Sequence, residues 1–387
     1  MTAVGDEEFL AGIGRVAGVA AEHAESVDRD ARFPTEAVAA LRDEGALSAL
    51  VPAELGGPDV SFEAVAAGCA VLGRACGTTA MVFAMHAIQV SCLARHLDGS
   101  AWFSTYLADV HSGQRLIASV TSEVQTGGDL GRSSAAVESG ADGVCSFVKQ
   151  APTISYGAYA DDLLTTLRRS PDADAGDQVL VLTRRGEAEL EAVGGWDTLG
   201  MRGTCSSGFI VRGRCAPEQV LPTPFARVSA ESMVPVSHLL WSHVWLGIAE
   251  DAFGRARAFV RAAAARSGSS TSAAEHLARV HGDLVALRST VRAALVEFQR
   301  ASAVEGRPDL STMAAALSAN SLKLTASERA PKVCTGALAV CGISGFRNDT
   351  PYSVGRHLRD TLSAQVMVAN SRLLASNAGL LLVVKEP

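Results

Sequence analysis

The spacing of apolar residues divides the chain into two helical regions with a strand-rich region between them. From residue 7 to about residue 108, apolar residues recur three and four positions apart, which predicts amphipathic helices. Between about 116 and 225, short β-type runs alternate with Gly, Asp and Pro clusters, which predicts a compact antiparallel β-domain. From about residue 233 the helical spacing returns and predicts helices near 234–266, 272–304, 309–341 and 354–383.

The predicted fold is therefore mostly α-helical with a central β-domain. We expect an N-terminal helical domain at 1–115, a middle β-domain at 116–228 and a C-terminal four-helix bundle at 229–387. The β-domain must pack between the two helical units, so a crevice is expected where the three meet. Ligand pockets form preferentially at such junctions.

The composition is that of a globular protein, and it argues against some classes of binding partner. Hydrophobic residues make up 48% and charged residues 19% of the 387 positions, which excludes disordered and disulfide-stapled classes. The net charge of -7, without a long basic block, argues against nucleic acid and anionic membranes as partners. The eight cysteines show no metal-ligand spacing, so we expect buried thiols and no metal.

The sequence also predicts a soluble, cytoplasmic protein. Its N-terminus is acidic and lacks the basic and apolar segments of a signal peptide. The uncharged stretch at 232–249 contains a proline and two histidines, and histidines are costly in a bilayer. We expect this stretch to be the buried first half of a long bundle helix.

Two polar loops, about thirty residues apart, carry the candidate chemistry of the β-domain. The first, TSEVQTGGD at 121–129, joins a strand to a Gly-rich loop whose free backbone N–H groups can cradle an accepting ligand edge. The second, TISYGAYAD at 153–161, is a short apolar–polar run that ends in Ala-Asp. Taken alone, the first loop is explained equally well by a hairpin turn, and the second is a weaker signal.

Together the two loops resemble the flavin-contacting pair of the acyl-CoA dehydrogenase family. That family's T-E-P-G-x-G-S-D is matched by SEVQTGGD at 122–129, and its W-I-T/S-N-G-x-x-A-D by TISYGAYAD at 153–161. Further matches follow in order: LSALVPAELGGP at 47–58, TLGMRGT at 198–204, PEQVL at 217–221, CGISGF at 341–346 and RHLRD at 356–360. The resemblance covers nearly the whole chain, and its α–β–α order agrees with the apolar pattern.

The resemblance implies a bound flavin, which would be FAD, or FMN if the protein is a monooxygenase. Ser122 and Ser155 would hydrogen-bond the flavin ring, because donors near the ring stabilise its reduced form. Gly342 would meet the pyrophosphate across a subunit boundary, which implies a homodimer or homotetramer. The implied cofactor-binding positions are Thr121, Ser122, Gly127, Gly128, Thr153, Ile154, Ser155, Arg266, Gly342 and Asn370.

The catalytic carboxylate of the commonest family members has no counterpart here. Their Glu lies nine residues after the Arg of the Arg-Asp pair, which from Arg359 is Val368. A minority place the base on the buried helix, where this chain has Ser237. Neither side chain can act as a carboxylate base. His238 and His86 are therefore the catalytic candidates, although a histidine on an apolar helix is more often a packed core residue.

Three functions compete on this scaffold. The preferred one is an FAD-dependent oxidoreductase that acts on the CH–CH group of an acyl thioester, carried by CoA or a carrier protein, with a relocated base. The alternative is a flavin-dependent monooxygenase that uses O2 and externally supplied reduced flavin. The third is a catalytically silent flavoprotein subunit, for which the altered RSGSS stretch at 266–270 is the argument. The expected partners are a small thioester substrate, an acyl carrier protein, and an electron-transfer flavoprotein or flavin reductase.

Overall fold

Helices form the first part of the chain, as predicted. The computed structural model of the protein describes residues 4–127, 129–141, 143–267, 272–302 and 309–385. The first helices are α1 (Val4–Arg29), α2 (Thr35–Asp43), α3 (Phe62–Ala75), α4 (Gly77–Ala94) and α5 (Ala101–Gly113). Helix α3 begins where the Ser61 hydroxyl accepts a hydrogen bond from the Ala64 N–H at 3.1 Å, which satisfies one of its free N–H groups.

Helix α4 is the apolar centre of this first part. Among the described residues it is the one helix long and apolar enough to cross a membrane by length and composition. Nearly all of it is buried inside the protein, as is usual for a core helix. Its neighbour α3 packs closely on a long helix of the last part of the chain, α7 (Val234–Ser267), where Gly73 meets Gly247. Cβ atoms added there would lie 2.6 Å and 2.2 Å from backbone oxygens.

Two small sheets follow the helices. The strands are β1 (Ile117–Val120), β2 (Glu138–Ser139), β3 (Cys145–Ala151), β4 (Asp162–Arg168), β5 (Gln178–Arg184), β6 (Ala188–Ala192) and β7 (Phe209–Cys215). One sheet has the order β1-β4-β5 and the other β2-β3-β7-β6. The expectation of an antiparallel β-domain is wrong at one pair, since β1 and β4 run parallel. The remaining strand pairs are antiparallel.

The last part of the chain is helical again. Its helices are α6 (Phe225–Val228), α7 (Val234–Ser267), α8 (Ser272–Ser302), α9 (Met313–Cys341), α10 (Ile343–Phe346), α11 (Gly355–Leu362) and α12 (Asn370–Leu380). Helices α7 and α9 run parallel, because His238 near the start of α7 contacts Ala319 near the start of α9. Helix α8 runs against them, with Val280 near its start beside Gly336 near the end of α9.

The single helix predicted near 354–383 is wrong, because the structure divides it. Helix α11 ends at Leu362, and a short 3-10 turn at Ser363–Gln365 follows. The Ser363 hydroxyl donates to the Asp360 carbonyl at 2.6 Å, which satisfies one of the free carbonyls at the end of α11. Val368 then adopts a left-handed backbone conformation, with φ of 46°, before α12 begins at Asn370. After this bend the chain continues along α9 towards the start of that helix, since Asn370 contacts Lys323 and Asn377 contacts Asn320.

One contact network joins the three parts of the molecule. Gly200, in the loop between β6 and β7, packs so closely on α11 that an added Cβ would lie 2.1 Å from the Arg359 carbonyl oxygen. The next N–H, of Met201, donates to Asp360 at 2.7 Å, and Arg202 donates to the Asp28 carbonyl at 2.8 Å. The fold is mostly helical with a small β-domain, in agreement with the predicted class.

Candidate functional site

The fold brings the two predicted flavin-contacting loops into direct contact. The Ser122 hydroxyl donates to the Thr153 carbonyl oxygen at 2.6 Å, and the Thr153 N–H points back to the same hydroxyl at 3.4 Å. These residues are separated by about thirty positions in the chain but follow β1 and β3, which belong to different sheets. The hydrogen bond therefore connects the two sheets at the ends of β1 and β3.

Glu123 anchors the loop at 121–129 to the segment at 133–135. This buried carboxylate accepts hydrogen bonds from the N–H groups of Ser134 and Ala135 and from the Ser133 hydroxyl, at 2.7 to 2.9 Å. The buried ammonium of Lys149 lies 3.5 Å from it. Burial alone would raise the pKa of Glu123, but these donors and the cation hold it below its usual value. The loop is thus fixed by a charged anchor.

The second loop is fixed by a chain of hydroxyl groups. Ile154 is fully buried, and its N–H donates to the Ser207 carbonyl at 2.9 Å. The Ser155 hydroxyl accepts from Ser206 at 2.9 Å, and Ser206 contacts Thr204 at 2.8 Å. Two hydroxyls that sequence matching assigned to a flavin, those of Ser122 and Ser155, therefore already have partners within the protein.

Helix α12 forms the opposite wall of this corner. A Cβ added to Gly127 would lie 4.0 Å from a guanidinium nitrogen of Arg372, so the loop and the first turns of α12 are neighbours. Gly127 has φ of 57°, which suits glycine. Val124 and Val368 flank the corner with about half of each side chain exposed. Gly128, another predicted contact, lies outside the described residues.

These features fit a flat ring with polar edges. The hydroxyl groups of Ser122 and Ser155 lie on the two loops, and partly exposed valines lie in the first loop and before α12, which suits the amphipathic surface of a flavin ring. Among the described residues no group of three or more His, Cys, Asp or Glu is arranged to hold a metal. The eight cysteines are free, and seven of them are buried.

Behind the corner lies a buried lysine that sequence matching did not single out. Lys323 on α9 donates to the Val368 carbonyl oxygen at 2.7 Å and to the Asn370 side-chain oxygen at 2.6 Å. Asn370 also exchanges hydrogen bonds with the Ser327 hydroxyl, at 3.1 and 3.2 Å. The amide of Asn370, predicted to bind cofactor, is thus used to tie α12 to α9. A lysine at a buried position of an apolar helix was the signal that could have identified this group.

His238 is next to this cluster. It is buried, and its Nδ1 contacts the Ala319 carbonyl at 3.1 Å, while its Nε2 has no hydrogen-bond partner in the described chain. Burial, with a small contribution from the Lys323 charge, lowers the pKa of His238 to about 4. The imidazole is therefore neutral near pH 7 and has one nitrogen free to accept a proton. Ser237 precedes it on α7 and is also buried.

His86 has a different environment. Its Nδ1 accepts the Ile117 N–H at 3.0 Å, so its Nε2 carries the proton and donates to the Leu47 carbonyl at 2.6 Å. Burial lowers the pKa of His86 to about 4. Since both ring nitrogens bind backbone atoms, His86 connects α4, the 3-10 turn after α2 and β1. It is a structural tie.

Two further predicted cofactor residues lie far from this corner. Arg266 is in the last turn of α7, about 28 residues beyond His238, or roughly 42 Å along a helix. Gly342 ends α9, with φ of 54°, and precedes the exposed side chains of Ile343 and Phe346. The structure does not bring these two positions to the loops at 121–129 and 153–155 within one chain.

The predicted crevice at the junction of the three parts is present but separate from these loops. A cavity of about 670 Å³ opens between α1, the loop around Leu199 and α11. It is lined by polar and charged residues that include Arg356 and His357. Among the described residues, the predicted flavin contacts do not line it.

Comparison with known proteins agrees with this architecture. The family description "Acyl-CoA dehydrogenase, N-terminal domain" matches residues 15–113, and "Acyl-CoA dehydrogenase, C-terminal domain" matches residues 230–368. Together these matches cover more than half of the chain.

Relatives of both candidate activities resemble the chain. Cyclohex-1-ene-1-carbonyl-CoA dehydrogenase of Syntrophus aciditrophicus is 26% identical over 91% of this chain and 83% of its own. The probable FMNH2-dependent monooxygenase SfnC of Pseudomonas putida is 24% identical, over 82% and 81%. The structure of FMN-bound TdsC from Paenibacillus sp. A11-2 superposes with a TM-score of 0.85, at 18% identity and 98% coverage of both chains. This protein belongs to the acyl-CoA dehydrogenase family of flavoproteins.

Proposed function

We propose that the chain is a flavin-dependent oxidoreductase that holds its flavin ring in the corner between the loops at 121–129 and 153–155 and the start of α12. The hydrogen bond between Ser122 and Thr153 carries this proposal, because it joins the two loops whose sequences match the flavin-contacting pair of the family. The Ser155 hydroxyl, which accepts from Ser206 and still has its own proton to donate, would hold the polar edge of the ring. The bound flavin would supply the two-electron oxidant.

For the reaction, we propose removal of hydrogen from the CH–CH group of an acyl thioester, with His238 as the base. The support is electrostatic: His238 is neutral near pH 7, and its Nε2 has no partner among the described residues. An α-proton next to a thioester is weakly acidic, and a positioned base is worth about 10²–10⁴ in rate. His86 is not proposed as the base, since both of its nitrogens are engaged.

The test is anaerobic mixing of the FAD-loaded protein with a panel of acyl-CoA thioesters. The expected result is bleaching of the flavin absorbance, with a rate that falls at least 10²-fold in the His238→Gln variant. The His86→Gln variant should keep the rate, provided that it folds. Val368→Glu restores a carboxylate at the position used by the commonest members and should partly rescue His238→Gln. Bleaching that is unaffected by His238→Gln would remove His238 from this proposal.

A second candidate is a flavin-dependent monooxygenase, and the identities of Val368 and Ser237 favour it. A reaction that transfers oxygen from O2 does not require a carboxylate to take an α-proton. Valine and serine at these positions would therefore not slow such a reaction. The purified protein should then consume O2 when it is given externally reduced FMN or FAD together with substrate. A protein that shows neither bleaching nor O2 consumption would support the silent flavoprotein subunit instead.

We also propose that the functional unit is a homodimer or homotetramer. Arg266 and Gly342 lie too far from the corner to contact the same ring within one chain, and Ile343 and Phe346 beside Gly342 are largely exposed. A second copy would cover these apolar side chains and bring both positions to a shared cofactor. Light scattering at several concentrations tests this, and a monomer that binds flavin tightly would contradict it.

A further inference from the structure

Lys323 is a buried cation without an anion. Its side chain has no exposure to solvent, and its two hydrogen-bond acceptors, the Val368 carbonyl and the Asn370 amide oxygen, are both neutral. No carboxylate of the described residues forms an ion pair with it. Burial lowers the pKa of Lys323 to about 8, and no neighbouring negative charge opposes this. An unpaired buried charge is costly, so a protein retains one only where something offsets the cost.

The surroundings of Lys323 add a second positive contribution. Asn370, which Lys323 contacts, is the first residue of α12, and Ala369 before it provides no side-chain cap. The N–H groups of the first turn of α12 lack a side-chain cap, so the positive end of the helix dipole lies next to the Lys323 ammonium. His238, the titratable group that faces Lys323 from α7, is neutral and adds no charge.

The backbone next to Lys323 is also strained. Val368, whose carbonyl oxygen accepts the lysine hydrogen bond, has φ of 46°, a conformation that β-branched residues rarely adopt. Such strain persists where the surroundings over-determine it, most often at functional sites. A buried cation, a helix N-terminus and a strained peptide thus meet at the start of α12, the helix whose Arg372 neighbours Gly127.

We propose that Lys323 is the counter-charge for the negative charge that the flavin ring gains on reduction, and that it raises the reduction potential of the bound flavin. This inference rests on the proposed flavin site. Two electrons and one proton convert the neutral oxidised ring to an anion, and a buried cation near the ring would favour that anion over the neutral form. Lys323 acts through the start of α12, so it is a positioning and tuning residue.

The test is the midpoint potential of the bound FAD in the wild type and in Lys323→Met, titrated with dithionite against a reference dye. The matched control is Lys332→Met, which removes an exposed lysine from the same helix. We expect Lys323→Met to lower the ratio of reduced to oxidised flavin at a fixed potential about ten-fold, a shift of about 30 mV to more negative values. Lys332→Met should leave the potential unchanged.

The outcomes separate this inference from the proposed function. A wild type that binds neither FAD nor FMN overturns the flavin site itself. A wild type that binds FAD, with the same potential in Lys323→Met, overturns the role of Lys323 alone. If Lys323→Met does not fold, a pH titration of the reduced wild-type protein, followed by flavin absorbance, replaces it. The reduced bound flavin should change from its neutral to its anionic form at a lower pH than free reduced FAD. An equal or higher value would contradict the proposal.

Discussion

The β-domain and the helical bundle each bury one lysine, and the two lysines differ in whether a carboxylate lies near the ammonium group. Lys149 on β3 lies 3.5 Å from the Glu123 carboxylate and donates to Thr166 at 2.7 and 2.8 Å. Lys323 on α9 has only neutral oxygens. Burial lowers the pKa of each to about 8. The same side chain therefore has an internal counter-charge in one region and lacks one in the other.

This difference distinguishes a structural charge from a charge that is available to a ligand. The Lys149–Glu123 pair fixes the loop at 121–129 and is complete within the protein. The Lys323 cluster has no anion among the described residues, and in our proposal the reduced flavin supplies one. Burial by itself does not identify a functional group, whereas burial without compensation does.

The largest expected effect comes from breaking the complete pair. Lys149→Met leaves the Glu123 carboxylate buried without its cation, so the free energy of unfolding should fall by about 3–5 kcal/mol. Urea denaturation measures it. The double variant Lys149→Met/Glu123→Gln removes the charge but keeps an acceptor for the serines, and should recover part of the loss. A single-variant loss below about 1 kcal/mol would show that the pair is not structural.

The two candidate histidines, His86 and His238, extend the comparison. His86→Ala leaves the Leu47 carbonyl and the Ile117 N–H without partners and should cost about 3 kcal/mol, whereas His238→Ala removes one hydrogen bond and should cost about 1 kcal/mol. Thermal or urea unfolding at pH 7 compares them. Equal losses would mean that His238 is as firmly built into the core as His86.

The contribution of His86 to the free energy of unfolding should depend on pH. The folded-state pKa of His86 is lowered from 6.5 to about 4, so the stability linked to its neutral form is present above pH 6.5. It is lost as the pH falls from 6.5 towards 4, by roughly 3 kcal/mol, since each pKa unit is worth about 1.4 kcal/mol. Wild-type stability measured between pH 7 and pH 4.5 should fall more steeply than that of His86→Gln.

Removing the uncompensated cation should have a smaller effect than removing the paired one. Lys323→Met abolishes two hydrogen bonds but also the cost of the buried charge, so the free energy of unfolding should change by only about 1 kcal/mol. Since the pKa of Lys323 is lowered from 10.5 to about 8, the wild type should gain stability as the pH rises from 8 to 10. Lys323→Met should gain less over that range. A loss as large as that of Lys149→Met would contradict the comparison.

The smallest expected effect is at Val368. Glycine tolerates its φ of 46°, so Val368→Gly should relieve strain and stabilise the protein by up to about 1 kcal/mol after the entropy of glycine is counted. Differential scanning calorimetry would record a higher Tm. Val366→Gly is the control, because Val366 is a nearby exposed valine with a right-handed helical backbone, φ of -96°. A lower Tm in Val368→Gly would indicate that the valine side chain is needed for packing.

Much of the fold could be predicted from apolar spacing. The helices expected near 234–266 and 272–304 appear as α7 and α8 with ends within two residues, because a long apolar stripe must be buried whatever surrounds it. The division of the last helix could not be predicted, since it depends on a side-chain bond from Ser363 and on the left-handed backbone at Val368. The strand β6 is short and most of its residues are exposed, so its few alternating residues give a weak signal in the sequence.

The candidate site was predicted only in part. Motif spacing placed Ser122 and Thr153 in related loops, and they are in contact. It suggested two histidines without a means of ranking them, because a histidine with both nitrogens engaged and one with a free nitrogen look alike in sequence. Lys323 was not singled out, because whether a lysine on an apolar helix is paired depends on residues more than forty positions away.

The sequence by itself determined the α–β–α order, the helix-forming stripes and the family, since these follow from local periodicity and from short motifs. Tertiary structure decided which buried charges have partners, which histidine has a free nitrogen and where the last helix divides. The physical reason is that burial and charge compensation are set by side chains brought together from distant parts of the chain. The local sequence shows only that a lysine is present, whereas the packed bundle shows that this lysine has no anion among the described residues.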